Sequence, residues 1–376
     1  MKRILIISFS NLHQDARVYR QIECLSKKYE VFAIGFSDPC IERVSFAQCR
    51  PKKKTLIRKC LAGLRLLLGK YEGYYWNIDH VKQVFGLSGR ERFDLVIAND
   101  IDALPVGIRV GGNKKVIFDA HEYSPLELED DWKWNLFFRG FKTYLCRQYI
   151  PCVDGMFTVS NGIAEAYKKH FEREAVVIMN APYFQKIEIR SPKSGGSIRL
   201  VHHGGATKSR KLEQMIRMLD YLDERFLLDL YLVPGDEGYL RRLSRVCAYD
   251  KRVRILSTIP MHALIERLSQ YDVGVYLLPP SSFNNKYALP NKLFDFIQAR
   301  LAIAIGPSPE MKRIVQEYGC GVVADEFTPE ALAREISALT HEKIQMLKKN
   351  TDIAARSLCF EVFSEKLLST VESVLG

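Results

Sequence analysis

Short, almost wholly apolar runs recur along the chain, separated by stretches whose apolar positions return every three or four residues. In the first half the runs are "KRILIIS" (2–8), "EVFAIGF" (30–36), "FDLVIAN" (93–99), "KVIFDA" (115–120), "GMFTVS" (155–160) and "AVVIMN" (175–180). The first gap holds "DARVYRQIECLSKK", with Val18, Ile22 and Leu25 at helical spacing. Strands that are apolar at nearly every position need cover on both faces, which parallel sheets get from crossover helices. After "APYFQKIEIRSPKSGGS" (181–197), which lacks periodicity, the cycle restarts. The second set is "IRLVHHGG" (198–205), "LLDLYLVPG" (227–235), "RVRILS" (252–257), "VGVYLLP" (273–279), "AIAIG" (302–306) and "GVVAD" (321–325). The pattern predicts an α/β chain of two tandem Rossmann-like, doubly wound parallel-sheet domains, 1–185 and 197–358. A linker at 186–196 joins them, and 359–376 reads as a final amphipathic helix. Ligands of such sheets bind beyond the carboxyl ends of the strands, so the expected site is a cleft where two such edges face each other.

A length of 376 residues suits two cores, and 47% hydrophobic with 26% charged residues excludes a disordered or fibrous chain. No apolar run approaches the roughly 18 residues of a spanning helix. A strand beginning at once in "MKRILIISFS" leaves no room for a signal peptide. The 9 cysteines show no metal-ligand spacing and are read as reduced thiols of a cytoplasmic protein. The net charge of +11 points to anionic partners without choosing among nucleic acid, lipid and phosphorylated ligands.

The segment "PKKKTLIRKCLAGLRLLLGKYEGYYW" (51–76) narrows that choice. Lys52, Lys53, Lys54, Arg58, Lys59, Arg65 and Lys70 precede its first acid, Glu72. On a helix, Leu56, Ile57, Cys60, Leu61, Leu64, Leu67 and Leu68 form one stripe, and Tyr71, Tyr74, Tyr75 and Trp76 follow. Basic flanks, a leucine face and interfacial aromatics suit a helix lying in an anionic membrane surface. The alternative is a domain helix whose stripe packs on the sheet. No base-stacking platform accompanies the charge, so nucleic acid is not an expected partner.

Candidate chemistry lies at strand ends. Gly204 and Gly205 let backbone N–H groups approach an anion, and Lys208, Arg210 and Lys211 follow within reach of a diphosphate. In "YALPNKLFDFIQARLAIAIG" (287–306), Pro290 opens a helix whose Asn291, Lys292 and Leu293 amides would point at phosphate. Asp295, one turn in, is placed either to accept from a ribose diol or to complement the helix dipole. Arg17 either reaches the cleft or pairs with Asp15 or Glu23.

With "FDLVIANDIDALP", "VIFDAHEYSP" and "DGMFTVSNGIAEAY" in the N-terminal half, these motifs resemble, in order and over nearly the whole chain, the GT-B glycosyltransferases. The nearest group is the bacterial retaining, nucleotide-sugar-dependent family 4. The resemblance implies that His121, with Glu122 adjacent, is catalytic beside the transferred sugar, and that Asn11 lies near the diphosphate. It implies that Pro234, Gly235, Ile259 and Pro260 hold the base, and that the last helix crosses back to the first domain. Where the family has the first acid of its Glu-x7-Glu signature this chain has Tyr287, so Asn285 and Tyr287 are the expected donor-sugar contacts.

The expected activity is transfer of a sugar from a nucleotide-diphosphate sugar, UDP or GDP first, to a hydroxyl of a lipid-linked or growing cell-surface saccharide. Retention follows from the family. Metal independence is expected because Lys and Arg can do a divalent ion's work, and no cofactor beyond the donor is expected. The location would be the inner face of the bacterial cell membrane. The alternatives are a nucleotide-sugar 2-epimerase and a non-catalytic nucleotide-binding scaffold.

Overall fold

The computed structural model describes residues 1–52, 55–89, 91–191 and 195–376, so Lys53 and Lys54 of the expected membrane patch lie outside the described residues. The chain forms two compact units: Met1–Met179 with Ser282–Asn284 and Phe363–Gly376, and Asn180–Ser281 with Asn285–Val362.

The first unit is built on β1 (Arg3–Ile7), β2 (Glu30–Gly35), β3 (Val44–Gln48), β4 (Leu95–Asn99), β5 (Lys115–Ala120), β6 (Gly155–Thr158) and β7 (Val176–Val177). These form one sheet in the order β3-β2-β1-β4-β5-β6-β7, paired in parallel throughout. The second holds β8 (Ile198–Ala206), β9 (Phe226–Pro234), β10 (Val253–Leu256), β11 (Val273–Tyr276), β12 (Ala302–Ile305) and β13 (Gly321–Val323). Its order is β10-β9-β8-β11-β12-β13, again all parallel. The expected fold class is what forms. β3 alone among the strands was not expected, because at the sheet edge its residues are half-buried or exposed and give no apolar run.

Strand order reverses direction between β1 and β4 in the first sheet and between β8 and β11 in the second. Crevices open at such points beyond the carboxyl strand ends. In the second unit the opening has a visible cause. β11 pairs with β8 only at Val273↔Leu200 and Gly274↔Val201, whereas β8 continues to Ala206 along β9.

In the first unit, α1 (Ala16–Ser26) starts at Asp15, whose carboxylate caps the Val18 N–H. α2 (Leu56–Leu67), α3 (Tyr71–Tyr75) and α4 (Asp79–Ser88) follow β3. The leucine stripe does not pack on the sheet: Leu56, Ile57, Leu61, Leu64, Leu67 and Leu68 are 52–77% exposed. The aromatics behind it turn inward instead. Tyr75 is fully buried, and the Trp76 indole N–H donates to Glu72 while its ring faces the Arg109 guanidinium at 4.7 Å. The polar atom and one ring face of Trp76 are thus committed to the fold, apart from the exposed stripe.

The helix Asn291–Gln298 sits close over β11 because position 274 is glycine: a Cβ there would lie 2.5 Å from the Phe296 ring. Gly274→Ala is expected to destabilise the chain by about 1–3 kcal/mol. Thermal denaturation checks this; an unchanged melting temperature would mean that the helix slides away at little cost.

Candidate functional site

The splayed end of β8 and the start of the helix Asn291–Gln298 enclose a cavity of about 510 Å³, lined by His203, Gly204, Gly205, Arg210, Asn291, Lys292 and Asp295 on its polar side. Tyr231, Val233, Ile259, Met261 and Leu264 make up much of the rest. The volume suits a small-molecule ligand.

Its electrostatics are unusual. Lys292 is 5% exposed, and its Nζ has no hydrogen-bond partner among the described residues. The amine lies 4.4 Å from the centre of the Tyr276 ring and has room because residue 204 is glycine, where a Cβ would come within 3.0 Å. Gly204 also holds φ at +131°, which side-chain-bearing residues rarely adopt. Burial, then the nearby Arg210 guanidinium, pushes the Lys292 amine well below its ordinary range, with Asp295 opposing. Two histidines flank it. His202 Nδ1 lies 2.9 Å from Val275 O, which makes it the N–H donor and leaves Nε2 buried without a partner among the described residues. His203 Nε2 stands 3.4 Å from Asp295 Oδ2 without making a hydrogen bond. Burial, then Lys292 and Arg210, pushes His203 down to about 3, so the imidazole is neutral and its approach to Asp295 is not an ion pair. The cavity therefore combines a buried amine, a guanidinium and one carboxylate. An anion entering it would relieve the lysine's desolvation by favouring the ammonium form.

At the helix start, Pro290 is the cap residue and no side chain caps the helix. The Leu293 N–H is already taken by Pro290 O at 3.0 Å, so of the three expected amides those of Asn291 and Lys292 are left at the tip. The Asn291 side chain accepts from Asn180 Nδ2 at 2.7 Å. Gly204 and Gly205 lie inside β8, paired with Leu232 and Val233, rather than directly before a helix. Arg210 lines the cavity, whereas the exposed Lys208 ammonium sits 3.4 Å from Asp236 Oδ2. Lys211, with φ of 45°, closes the turn after Lys208–Arg210 and is not among the lining residues. Of the four expected base contacts, Ile259 lines the cavity, while Pro234, Gly235 and Pro260 do not. Asn285 donates to Ser281 Oγ at 2.8 Å, and Tyr287 has the Lys286 ammonium 5.3 Å from its ring centre; neither lines the cavity. Val233, near the end of β9, and Met261 and Leu264, on the helix after Pro260, went unrecognised because apolar side chains there carry no mark of a ligand.

In the first unit, His121 follows β5 with Nε2 3.2 Å from Asn99 Oδ1 and Nδ1 3.3 Å from Asp100 Oδ2. Asp100 also accepts from the His121 N–H at 3.1 Å, from a left-handed backbone position with φ of 62°. Beneath lies a polar chain that sequence reasoning missed. Arg17 pairs with neither Asp15 nor Glu23; its guanidinium meets buried Asp119 at 2.6 Å and donates to Ile178 O at 2.6 Å. Gln21 donates to Asp119 at 2.8 Å, and Asn99 donates to Gln21 Oε1 at 3.0 Å. Asn99 thereby has its amide orientation fixed, with its oxygen presented to His121. Glu122 neighbours further acids: burial, then Glu127 and Asp100, pushes its carboxyl up to about 8. Asn11 is exposed; its carbonyl accepts the Gln14 and Asp15 N–H groups in the turn before α1.

Two doubly wound parallel units in tandem define the GT-B fold. The chain is similar to HepE of Anabaena in complex with UDP-glucose (TM-score 0.72, 14% identity, covering 99% of this chain and 100% of that one). It is similar also to sucrose-phosphate synthase of Thermosynechococcus elongatus (0.72, 15%, 100% and 99%). A glycosyltransferase of Rickettsia africae gives 0.66 at 12% identity, covering 100% and 98%. At these identities the likeness establishes the fold. No protein-family model and no curated protein matches the sequence.

Two expectations follow from the buried charges. Lys292→Met should stabilise the ligand-free chain at neutral pH by about 1–3 kcal/mol, since it removes a desolvated amine without orphaning a partner. Urea denaturation tests it; a loss of stability would mean that the amine has a partner. Glu122, ordinarily near 4.5 and here near 8, keeps in the folded chain a proton that the unfolded chain loses between those values. Its contribution therefore falls as pH rises through that window, by up to about 1.4 kcal/mol per pH unit. Glu122→Gln should flatten the decline of melting temperature between pH 5 and 8. Parallel curves for the two proteins would place the carboxylate in solvent.

Proposed function

We propose that the protein is a glycosyltransferase that takes a sugar from a nucleotide-diphosphate sugar, UDP- or GDP-linked, and delivers it to a hydroxyl of a lipid-linked or growing saccharide. The observation that carries this reading is the unpartnered Lys292 amine, held beside Arg210 at the strand-reversal point of the second unit. A departing diphosphate gains negative charge, and preorganised cations and amides stabilise that charge in a water-poor site. Lys292, Arg210 and the Asn291 and Lys292 amides face it, with Asp295 set to accept from a ribose diol and Ile259, Val233 and Met261 to pack on the base. HepE, one of the structures with this fold, was solved with UDP and with UDP-glucose.

The lining offers a divalent ion one carboxylate beside the Arg210 guanidinium and the Lys292 amine, a poor donor set, so the reading is metal-independent and needs no cofactor beyond the donor. His121, its ring oriented by Asn99 and Asp100, is read as the group that steadies the transferred sugar. Transfer is read as retaining, with the leaving diphosphate helping to deprotonate the acceptor. The exposed stripe of α2 supports a reading in which the enzyme lies on the inner, anionic face of a bacterial membrane. No helix among the described residues is long and apolar enough to cross one.

A thermal-shift screen over UDP, UDP-glucose, GDP and ADP tests the reading. The cognate nucleotide at a hundred times its Kd should add about 2.7 kcal/mol of stability. Asp295→Ala should weaken that nucleotide by about 1–3 kcal/mol. No shift with any nucleotide sinks the donor assignment, and unchanged affinity in Asp295→Ala sinks the ribose contact.

A further inference from the structure

Two cavities of the first unit meet at one side chain. One, of about 300 Å³, lies between α2 and the α3–α4 segment and is lined by Arg58, Arg65, Lys82 and Asp79, with Leu61 and Tyr74. The other, of about 420 Å³, lies beyond the carboxyl ends of β1 and β2 and has Tyr74 as a wall too. The two have opposite chemistry. In the first, three cations face the single carboxylate of Asp79. Lys82 donates to the neutral Asn77 Oδ1 at 2.8 Å, and Arg65 to Gly73 O at 3.4 Å, so neither bond neutralises the charge. The second is walled by Phe9, Phe36, Trp134 and Phe138, and Lys142 there is paired with both Asp102 at 2.6 Å and Glu127 at 2.7 Å. Two carboxylates to one ammonium disfavour an anion. Aromatic faces with carboxylate acceptors suit a sugar ring bearing hydroxyls. Leu61, which lines the cationic cavity, belongs to the exposed α2 stripe.

We propose that the cavity of Arg58, Arg65 and Lys82 is the phosphate subsite of a lipid-linked saccharide acceptor. The lipid lies along the leucine stripe, the phosphate or diphosphate sits among the three cations, and the sugar passes Tyr74 into the aromatic cavity. Charge sets this order: the phosphate is drawn to the cationic cavity and turned away by Asp102 and Glu127 from the other. The assignment rests on the sugar-transfer reading for the identity of the sugar end, and on the first unit alone for the phosphate.

The test titrates the full chain, with saturating UDP to fill the anion cavity of the second unit, against farnesyl diphosphate, farnesol and inorganic diphosphate. Tryptophan fluorescence reports binding in the wild type and in Arg58→Gln/Lys82→Gln, whose positions are exposed and whose fold is checked by melting temperature. Farnesyl diphosphate is expected to bind the wild type about tenfold or more tighter than either fragment, and to lose about tenfold or more in the double variant. Farnesol affinity should not change. Equal affinity of farnesyl diphosphate for both proteins overturns the proposal. So does farnesol binding as tightly as its diphosphate, which marks a membrane face alone, or inorganic diphosphate binding as tightly, which marks a free phosphate site. The UDP shift on the same samples separates the readings. A shift kept in both proteins with unchanged farnesyl diphosphate affinity sinks the subsite alone. Absence of a shift with both UDP and GDP sinks the donor reading, while the difference between wild type and double variant still decides the subsite.

Discussion

A buried lysine whose amine has no hydrogen-bond partner among the described residues is the constraint around which the second unit is arranged. Elsewhere buried charge is met by the fold. Arg17 has Asp119, Lys142 has Asp102 and Glu127, and Arg300 has Asp352 at 2.7 Å. Even Lys348, pushed down to about 8 by burial, donates to Tyr271 O at 2.9 Å. Lys292 alone among these has its Nζ without a partner. Leaving a polar group desolvated costs several times what a made hydrogen bond returns, so a fold tolerates it where something else supplies the missing partner.

The room for this amine depends on backbone geometry more than on the lysine. β8 and β11 part after two paired positions, and the gap between them takes in His202, Tyr276 and the lysine side chain. Glycine at 204 leaves room for the amine, and glycine at 274 lets the helix that carries it sit low on the strand. The first unit uses the same topological place differently. There the carboxyl ends of β4 and β5 carry Asn99 and Asp119, joined through Gln21 and Arg17 into a closed set of hydrogen bonds. A satisfied network fixes His121 in one orientation, whereas an unsatisfied cavity is ready for a ligand's charge. One sheet topology thus yields an orienting site and a binding site.

Much of this was legible in the chain, for reasons that also explain what was not. Parallel strands covered on both faces are apolar at most positions, so β1, β4, β5, β8 and β9 announce themselves. β3, half exposed at an edge, has no such run. Pro290 and the residues after it marked a helix start, because proline and short polar side chains there have a local backbone reason. Which of the nearby cations would be buried had no local reason. Lys208, Arg210, Lys211 and Lys292 look alike in sequence, and only the path of β8 decides that Arg210 and Lys292 face the cavity while Lys208 meets Asp236. The Arg17–Asp119 pair spans 102 positions and could not be read from neighbours on one helix.

The exposed stripe of α2 raises the converse question, since apolar surface left in water needs a reason where it is contiguous. Collapse back onto the sheet is prevented from below. Tyr71 packs against Phe141 and Tyr144, and Tyr74 against Phe138 and Phe141. The Tyr75 hydroxyl donates to Asp102 O at 2.7 Å, and Tyr144 and Tyr149 both donate to Glu72. The inner surface is therefore already filled by α3 and its partners, and Leu66 is the one α2 residue that joins the buried set. A helix held this firmly on one side, and left bare on the other, keeps its leucines outward because the fold has no place for them. The aromatic cluster that excludes them is also a wall of the cavity beyond β1 and β2, so the same packing that presents the apolar face shapes the pocket beneath it.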